Sequence, residues 1–431
     1  MPPMTPGPLC RLMDAARRAN FSTAPLSVNG REYRPPAAPL VVICIDGCED
    51  DYLATSIAHG CMPTVEAMAA SGYRGMARAA LPSFTNVNNA AIASGAPPSV
   101  TGIAGNFFLD PESGEEVMMN SADYLRSETI FAAAARAGRR VAVVTAKEKL
   151  RDILAKDLDG IVFSAEKARE ACAATHGIDN VETLVGHSMP EIYSAEASLF
   201  VLRAGVALLE SDAADFLYLS LTDYMQHKFA PEEPESLEFH RAMDVELARL
   251  VATGAVVAAT ADHGMNAKSL PDGSPNVIYL ESILTEQFGP GVRVICPITD
   301  PYVVHHGALG SLVMVHLAEG MDVAAIADWI LALPGITEVH EREAAADKLE
   351  LPADRIGDIT VLSDRHVVLG RTPADHELQH LAGGLRSHGG RFEEMVPLLL
   401  SHPLNESYQA RARQDPRNFD IFDFACNGVV L

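Results

Sequence analysis

The stretch PLVVICIDG, residues 39–47, decides the fold of this chain. A short, uninterrupted apolar run that ends in Asp-Gly is typical of a strand buried on both faces of a parallel sheet. Two more such runs follow, DFLYLSLTD at 215–223 and AVVAATADHG at 255–264, and VAVVTA at 141–146 is a shorter one. The three longer runs end in aspartates, namely Asp46, Asp223 and Asp262.

Helical segments alternate with these strands. SETIFAAAARAGRR precedes the strand at 141–146, and long amphipathic segments at 195–214 and 235–254 precede the other two. Strands that alternate with helices of this length form βαβ units, whose strands are parallel. The sequence therefore predicts an α/β fold with a doubly wound, mostly parallel central sheet.

One segment departs from this alternation. Residues 275–365 carry their own strand–helix–strand pattern between Pro- and Gly-rich stretches. We expect a smaller α+β cap subdomain at 275–365, inserted into a catalytic core formed by 38–274 and 366–431. Residues 1–37 are Pro-rich and are predicted to form an N-terminal arm.

Composition limits the classes of partner. The 431 residues carry a net charge of −24 with 48% hydrophobic residues, which indicates a globular protein and disfavours nucleic acid or an anionic membrane as partner. The N-terminus lacks the apolar core of a signal peptide, and no apolar run reaches 18 residues. Seven cysteines without zinc-type spacing fit a reduced, cytoplasmic protein. A homodimer is the default expectation for assembly.

The three aspartates predict a metal site. The carboxyl ends of parallel strands meet at one edge of the sheet, and carboxylates gathered there repel one another unless cations neutralise them. His227 follows Asp223 by four residues, and His263 directly follows Asp262. Each Asp alone would be an ordinary turn or helix cap, but together with the histidines they favour zinc or a similar divalent ion.

Two further stretches remain open on local grounds. In LPSFTNVNNAAIASG, residues 81–95, Thr85 precedes a run of small residues and is either a helix cap or a nucleophile. In SHGG, residues 387–390, His388 lies either in a surface turn or in a site loop that glycines allow to approach closely.

Taken in order, these motifs resemble the alkaline phosphatase superfamily, in particular its nucleotide pyrophosphatase/phosphodiesterase-like branch. The matching pieces are IDG at 45–47, the two stretches around Thr85 and His388, SVTGIAGN at 99–106, TDYMQH at 222–227 and TADHG at 260–264. One departure is Thr85-Asn86-Val87-Asn88, where relatives often have Thr-Phe-Pro-Asn.

This resemblance implies two zinc ions and roles for particular residues. One ion would be held by Asp223, His227 and His388. The other would be held by Asp46, Asp262, His263 and the hydroxyl of Thr85. Thr85 would be the nucleophile, and Asn106 would help to hold the phosphoryl group.

Lys147 and Lys149, which follow the strand at 141–146, narrow the resemblance to phosphonoacetate hydrolases. In that family paired lysines hold the substrate carboxylate. The resemblance then implies zinc-dependent hydrolysis of phosphonoacetate, a small phosphonate, to acetate and phosphate through a phosphothreonine. A phosphodiesterase or phosphomonoesterase with the same metal centre stays open, as does a non-catalytic protein that binds an oxyanion. The role of His305 and His306 is also open.

Overall fold

The computed structural model describes residues 21–300, 307–378, 381 and 384–431. His305 and His306, whose role the sequence leaves open, lie outside the described residues. The first 20 residues of the predicted arm do so too. Residues 26–33 of the region that follows form a β-hairpin whose Tyr33 is buried.

The strands are numbered in chain order. They are β1 (Leu26–Val28), β2 (Arg31–Tyr33), β3 (Leu40–Cys44), β4 (Tyr73–Arg78), β5 (Phe107–Leu109), β6 (Glu116–Met118), β7 (Val141–Thr145), β8 (Ile161–Ser164), β9 (Phe216–Ser220), β10 (Val256–Thr260), β11 (Asn266–Ala267), β12 (Val277–Tyr279), β13 (Val292–Ile295), β14 (Leu312–Leu317), β15 (Ile336–Glu341), β16 (Ile359–Ser363), β17 (Val368–Gly370), β18 (Arg386–Ser387) and β19 (Met395–Leu400).

The helices are also numbered in chain order. They are α1 (Asp50–Ala58), α2 (Pro63–Ser71), α3 (Thr85–Ser94), α4 (Pro98–Thr101), α5 (Ile130–Arg136), α6 (Glu148–Leu154), α7 (Ala173–His176), α8 (Val181–Val185), α9 (Ala195–Glu210), α10 (Tyr224–Lys228), α11 (Pro234–Ala252), α12 (Leu280–Phe288), α13 (Val323–Leu331), α14 (Arg342–Lys348), α15 (Glu406–Arg411) and α16 (Ile421–Asp423).

A seven-stranded sheet forms the centre of the molecule. Its order is β4-β19-β10-β3-β9-β7-β8, and the five strands from β10 to β8 are parallel. Only β19 runs against its two neighbours. Every residue of β3, β7, β9 and β10 is buried, as expected for strands covered on both faces. The predicted doubly wound, mostly parallel fold is confirmed.

A second sheet lies within residues 292–363. It has four antiparallel strands in the order β13-β14-β16-β15. This sheet falls inside the segment 275–365 for which the sequence predicts a separate subdomain. The short parallel pair β12–β17 brings the two ends of the segment together, because Val277 pairs with Val368.

Two findings concern membrane-spanning helices and cysteines among the described residues. None of the described helices is both long and apolar enough to cross a membrane. The six cysteines among the described residues are free thiols, and five of them are buried.

The buried imidazole of His240 makes the fold sensitive to acid. His240 is stacked on Tyr52 with ring centroids 5.5 Å apart, and its Nδ1 donates to the Ser236 carbonyl at 2.7 Å. Burial lowers the pKa of His240 to about 4. Between that value and the ordinary His pKa of about 6.5, the unfolded chain binds a proton that the folded chain does not, so stability falls as the pH falls.

We therefore expect the free energy of unfolding to drop by about 2 kcal/mol more between pH 7 and pH 5 in the wild type than in His240→Gln. Urea unfolding at both pH values measures the difference. Equal losses in the two proteins would contradict the assignment.

Candidate active site

Strand register gathers the predicted site residues at one edge of the sheet. Cys44 at the end of β3 pairs with Thr260 on one side and with Ser220 on the other. Asp46 follows β3 by two residues, Asp262 follows β10 by two, and Asp223 follows β9 by three. All three aspartates are buried, with at most 2% of their surface exposed.

Close packing at this edge requires a glycine. Gly47 has φ +71, and a Cβ on it would lie 2.9 Å from the Cβ of Asp223. The residue after Asp46 must therefore lack a side chain if the two aspartates are to come together. The motif IDG is explained by this contact as well as by the turn.

The first predicted metal ligand set is assembled as expected. Asp223 is the residue that precedes α10, and His227 lies one turn later on that helix. The Nε2 of His227 is 3.0 Å from Oδ2 of Asp223, and the Nε2 of His388 is 3.9 Å from the same oxygen. Ligand atoms of these three residues lie within 4.8 Å of one another, which is close enough to hold one ion.

The second predicted set is brought together in part, because Asp262 is not among the residues whose ligand atoms all lie within 4.8 Å of one another and Asp223 is. Asp46, His263 and Asp223 present atoms within 4.8 Å of one another, so Asp223 belongs to both groups. The Nε2 of His263 lies 3.2 Å from Oδ1 of Asp46 and 3.7 Å from Oδ2 of Asp262. It also lies 3.4 Å from the hydroxyl of Thr85.

All three histidines turn the same nitrogen toward the site. The Nδ1 of His227 donates to the Arg386 carbonyl at 2.8 Å, that of His263 to the Gly264 carbonyl at 2.9 Å, and that of His388 to the Ser83 carbonyl at 2.8 Å. A backbone acceptor on Nδ1 fixes the tautomer and leaves the Nε2 lone pair for a metal. The rings of His263 and His388 are stacked with centroids 3.5 Å apart.

The electrostatics of the cluster fit divalent cations. Burial and the neighbouring Asp46 raise the pKa of Asp262 well above its usual range. Burial opposes protonation of His263, yet Asp262 and Asp46 raise its pKa to about 9. Oδ1 of Asp46 is buried and accepts no hydrogen bond from any described residue. The donor set of carboxylate and imidazole, with no thiolate, suits zinc or a similar ion.

Thr85 lies at the start of α3, facing this cluster. Phe84, not Thr85, precedes the helix as its cap residue, so the interpretation of Thr85 as a helix cap is wrong. Thr85 is the first helical residue and is 2% exposed. The next amide, that of Asn86, donates to Oδ1 of Asn106 at 3.0 Å. This bond ties Asn106 to the amino end of α3, where free amides attract anions.

Two asparagines in the stretch that contains Thr85 have supporting contacts that the sequence did not reveal. Oδ1 of Asn88 accepts from the Ala80 amide at 2.7 Å and so fixes the loop before Thr85. Asn89 donates to the Thr85 carbonyl at 3.0 Å and to Oδ2 of Asp262 at 3.4 Å. The unusual density of buried asparagines in TNVNN was the available signal.

The two predicted substrate lysines lie at the same edge but have different partners. Lys147 follows β7 by two residues, and its Nζ is 3.1 Å from Oδ2 of Asp46 and 2.7 Å from Oδ1 of Asp223. Nζ of Lys149 is 2.7 Å from Oδ2 of Asp300, which is 4% exposed. Asp300 is a site neighbour that sequence reasoning missed, because nothing in the linear pattern places residue 300 beside residue 149.

Comparison with known proteins agrees with this geometry. Residues 40–390 match the family model of type I phosphodiesterase / nucleotide pyrophosphatase, and the chain belongs to this family. Phosphonoacetate hydrolase from Sinorhizobium meliloti 1021, solved in complex with phosphonoformate, is 45% identical with a TM-score of 0.90. The same enzyme in complex with phosphonoacetate gives a TM-score of 0.89, again at 45% identity. Both alignments cover 95% of this chain and 100% of the other.

A more distant structure shares the fold. Murine ectonucleotide pyrophosphatase / phosphodiesterase 5 in complex with AMP is 16% identical, with a TM-score of 0.60 over 90% of this chain and 94% of that one. The family model and the similarity to phosphonoacetate hydrolase confirm the resemblance inferred from the motifs at the level of the family.

A substitution in the loop that carries His388 tests whether this loop positions the cluster. Gly389 has φ +124, and a Cβ there would lie 2.3 Å from Cε1 of Phe84, next to Thr85. We expect Gly389→Ala to lower the free energy of unfolding by about 1–3 kcal/mol and to weaken any binding of a divalent ion by the cluster, because Phe84 and His388 must move apart. Calorimetric titration with zinc and urea unfolding measure the two effects.

Gly254→Ala is the matched control. Gly254 also has a positive φ, +79, but a Cβ there meets nothing within 4 Å. The control variant should lose some stability from backbone strain and bind zinc like the wild type. If both variants bind zinc equally well, the close approach at Gly389 does not position the cluster.

Proposed function

We propose that this chain is a zinc-dependent hydrolase that cleaves the C–P bond of phosphonoacetate and releases acetate and phosphate through a phosphothreonine. The observation that carries the proposal is a buried hydroxyl beside carboxylate and imidazole groups, with two lysines at the same sheet edge. Thr85 is buried, and its hydroxyl lies 3.4 Å from Nε2 of His263. Lys147 contacts the carboxylates of Asp46 and Asp223, and Lys149 contacts that of Asp300. The similarity to phosphonoacetate hydrolase over 95% of the chain supports the same substrate.

Two groups of residues would hold the metal ions. Asp223, His227 and His388 would bind one, and Asp46, Asp262, His263 and Thr85 the other. When bound, divalent ions lower the pKa of a coordinated hydroxyl and offset the negative charge of a phosphonate.

Thr85 would attack phosphorus. An unassisted threonine hydroxyl is a weak nucleophile at neutral pH, and Thr85 is the only hydroxyl of α3 that the structure places within 3.5 Å of a ligand histidine. The amino end of α3 would bind phosphonate oxygens together with Asn106, whose Oδ1 is already engaged by the Asn86 amide. With Oδ1 engaged, the Nδ2 group of Asn106 would be the one to donate to a phosphonate oxygen.

The lysines would stabilise the leaving group. As the bond from Thr85 Oγ to phosphorus forms, the hydroxyl gives up its proton to solvent and the C–P bond breaks. The electron pair of that bond passes to carbon, where it spreads into the carboxylate. Cations beside that carboxylate stabilise the developing enediolate charge. Asp300 holds Nζ of Lys149 at 2.7 Å and would fix the direction of this cation.

The second half-reaction balances the first. Acetate leaves after its carbon takes a proton from solvent. Water then attacks the phosphothreonine, releases phosphate and restores the hydroxyl of Thr85. The sum is phosphonoacetate plus water giving acetate and phosphate. We also propose that the cap at 275–365 covers the site. Asp300 and Pro297 both lie within that segment. The Pro297 carbonyl accepts from the Asn106 amide at 2.8 Å, and Asp300 contacts Lys149.

Replacement of the nucleophile tests the covalent route. Thr85→Ala should lower kcat for phosphonoacetate by about 10³-fold or more, because the attacking oxygen is gone. Thr85→Ser should keep a measurable rate. Phosphate release with added zinc, and its loss with a chelator, provides the measurement. Near-normal hydrolysis by Thr85→Ala with full metal content would contradict the nucleophile assignment.

Replacement of Lys149 tests the substrate class. Lys149→Ala should lower kcat/KM for phosphonoacetate by about 10²-fold, since a charge-assisted contact to the leaving group is removed, but change hydrolysis of nitrophenyl phosphate esters little. Lys167→Ala, at a half-exposed surface position, is the matched control. Equal losses on all substrates would favour a general esterase.

The alternative function is phosphodiester or phosphomonoester hydrolysis at the same centre. The family model favours it as the second candidate, because its description names phosphodiesterase and pyrophosphatase activities. A panel of phosphonoacetate, a nitrophenyl diester and a nitrophenyl monoester separates the two. Absence of turnover on all three would favour an oxyanion-binding protein.

A further inference from the structure

The carboxylates of Asp46 and Asp223 each divide their two oxygens between different partners. Oδ1 of Asp46 lies 3.2 Å from Nε2 of His263, and Oδ2 of Asp223 lies 3.0 Å from Nε2 of His227. The opposite oxygens, Oδ2 of Asp46 and Oδ1 of Asp223, both accept from Nζ of Lys147, at 3.1 and 2.7 Å. One ammonium group therefore bridges the two aspartates from the side away from the histidines.

Neighbouring groups fix the backbone from which this ammonium extends. Lys147 directly precedes α6, and Oγ1 of Thr145 donates to its carbonyl at 2.9 Å. Its side chain is 11% exposed, and its two acceptors are 0% and 3% exposed. An ion pair with so little exposure to solvent holds its geometry. Water cannot reach either group to replace the hydrogen bond to its partner.

Lys149 provides the contrast. Its side chain has nearly the same exposure, 13%, yet its partner is Asp300, which is in neither metal group. The two lysines of the KEK sequence therefore differ in what they contact, although the sequence pattern treats them as a pair.

We propose that Lys147 is a positioning residue for the metal centre: it bridges Asp46 and Asp223 and orients one oxygen of each toward the histidines that complete the two ligand sets. This role rests on the proposed function only in that the ligand sets bind metal. The bridge has two effects. It relieves the repulsion between two buried carboxylates, and it prevents them from rotating away from the ligand geometry.

The expected consequence differs from that of a residue that contacts only substrate. Groups that orient metal ligands typically change metal affinity by about 10–100-fold when removed. Loss of Lys147 should therefore impair the hydrolysis of every substrate at low zinc concentration. Loss of Lys149 should leave zinc affinity intact.

Zinc affinity of the full chain tests the proposal. Apoprotein prepared with a chelator is titrated with zinc alone, in competition with a chromophoric chelator, for wild type, Lys147→Met and Lys149→Met. We expect Lys147→Met to weaken zinc binding by about 10–100-fold and Lys149→Met to stay within about twofold. Unchanged or tighter zinc binding by Lys147→Met would overturn the proposal.

Rescue by zinc distinguishes weakened metal binding from misfolding. Ester hydrolysis by Lys147→Met should recover as the zinc concentration is raised, whereas a variant that is merely misfolded would not recover. If Lys147→Met does not fold, Lys147→Gln replaces it, since its shorter, neutral side chain lacks the positive charge that offsets the two carboxylates. Wild-type affinity in Lys147→Gln would then overturn the proposal. A wild type that binds no zinc would instead refute the proposed function.

Discussion

The repulsion among three buried carboxylates is the constraint on which the rest of this structure depends. The register of β3, β9 and β10 brings Asp46, Asp223 and Asp262 to one edge of the sheet, where ligand atoms of Asp46 and Asp223 lie within 4.8 Å of each other. Buried like charges at such distances cannot all stay ionised without cations. The raised pKa of Asp262, caused by burial and by Asp46, and the raised pKa of His263 are two expressions of the same demand for positive charge.

The surrounding structure holds the side chains that could bind cations in a fixed geometry. Three backbone carbonyls set the tautomers of the three histidines, and Asn89 joins Asp262 to the carbonyl of Thr85. The glycines at 47 and 389 let separate chain segments approach within contact distance. These groups come from segments far apart in sequence, so the cluster is a property of the folded chain, and its precision depends on strand register more than on any local motif.

Most of the fold could be predicted because its signals are local. Buried strands such as PLVVICIDG are recognisable from an apolar run and a terminal Asp-Gly, and the helices between them from their length and amphipathic pattern. The meeting of Asp46, Asp223 and Asp262 could be predicted because parallel strands place their carboxyl ends at one edge. Of the two interpretations that the sequence left open for Thr85, the helix cap was wrong by one residue, since a cap and a first-turn residue have nearly the same sequence signal.

The sequence by itself determined the parallel sheet, the family and the identity of the residues at the carboxyl edge, because hydrophobic pattern and residue order carry that information. Only the tertiary structure decided how those residues share their bonds. It made Asp223 a member of both metal groups, gave Lys147 and Lys149 different partners, and placed Asp300 beside the lysine pair. Such choices depend on short contacts between residues as far apart as Lys149 and Asp300, which are 151 positions from each other, and no spacing along the chain encodes them.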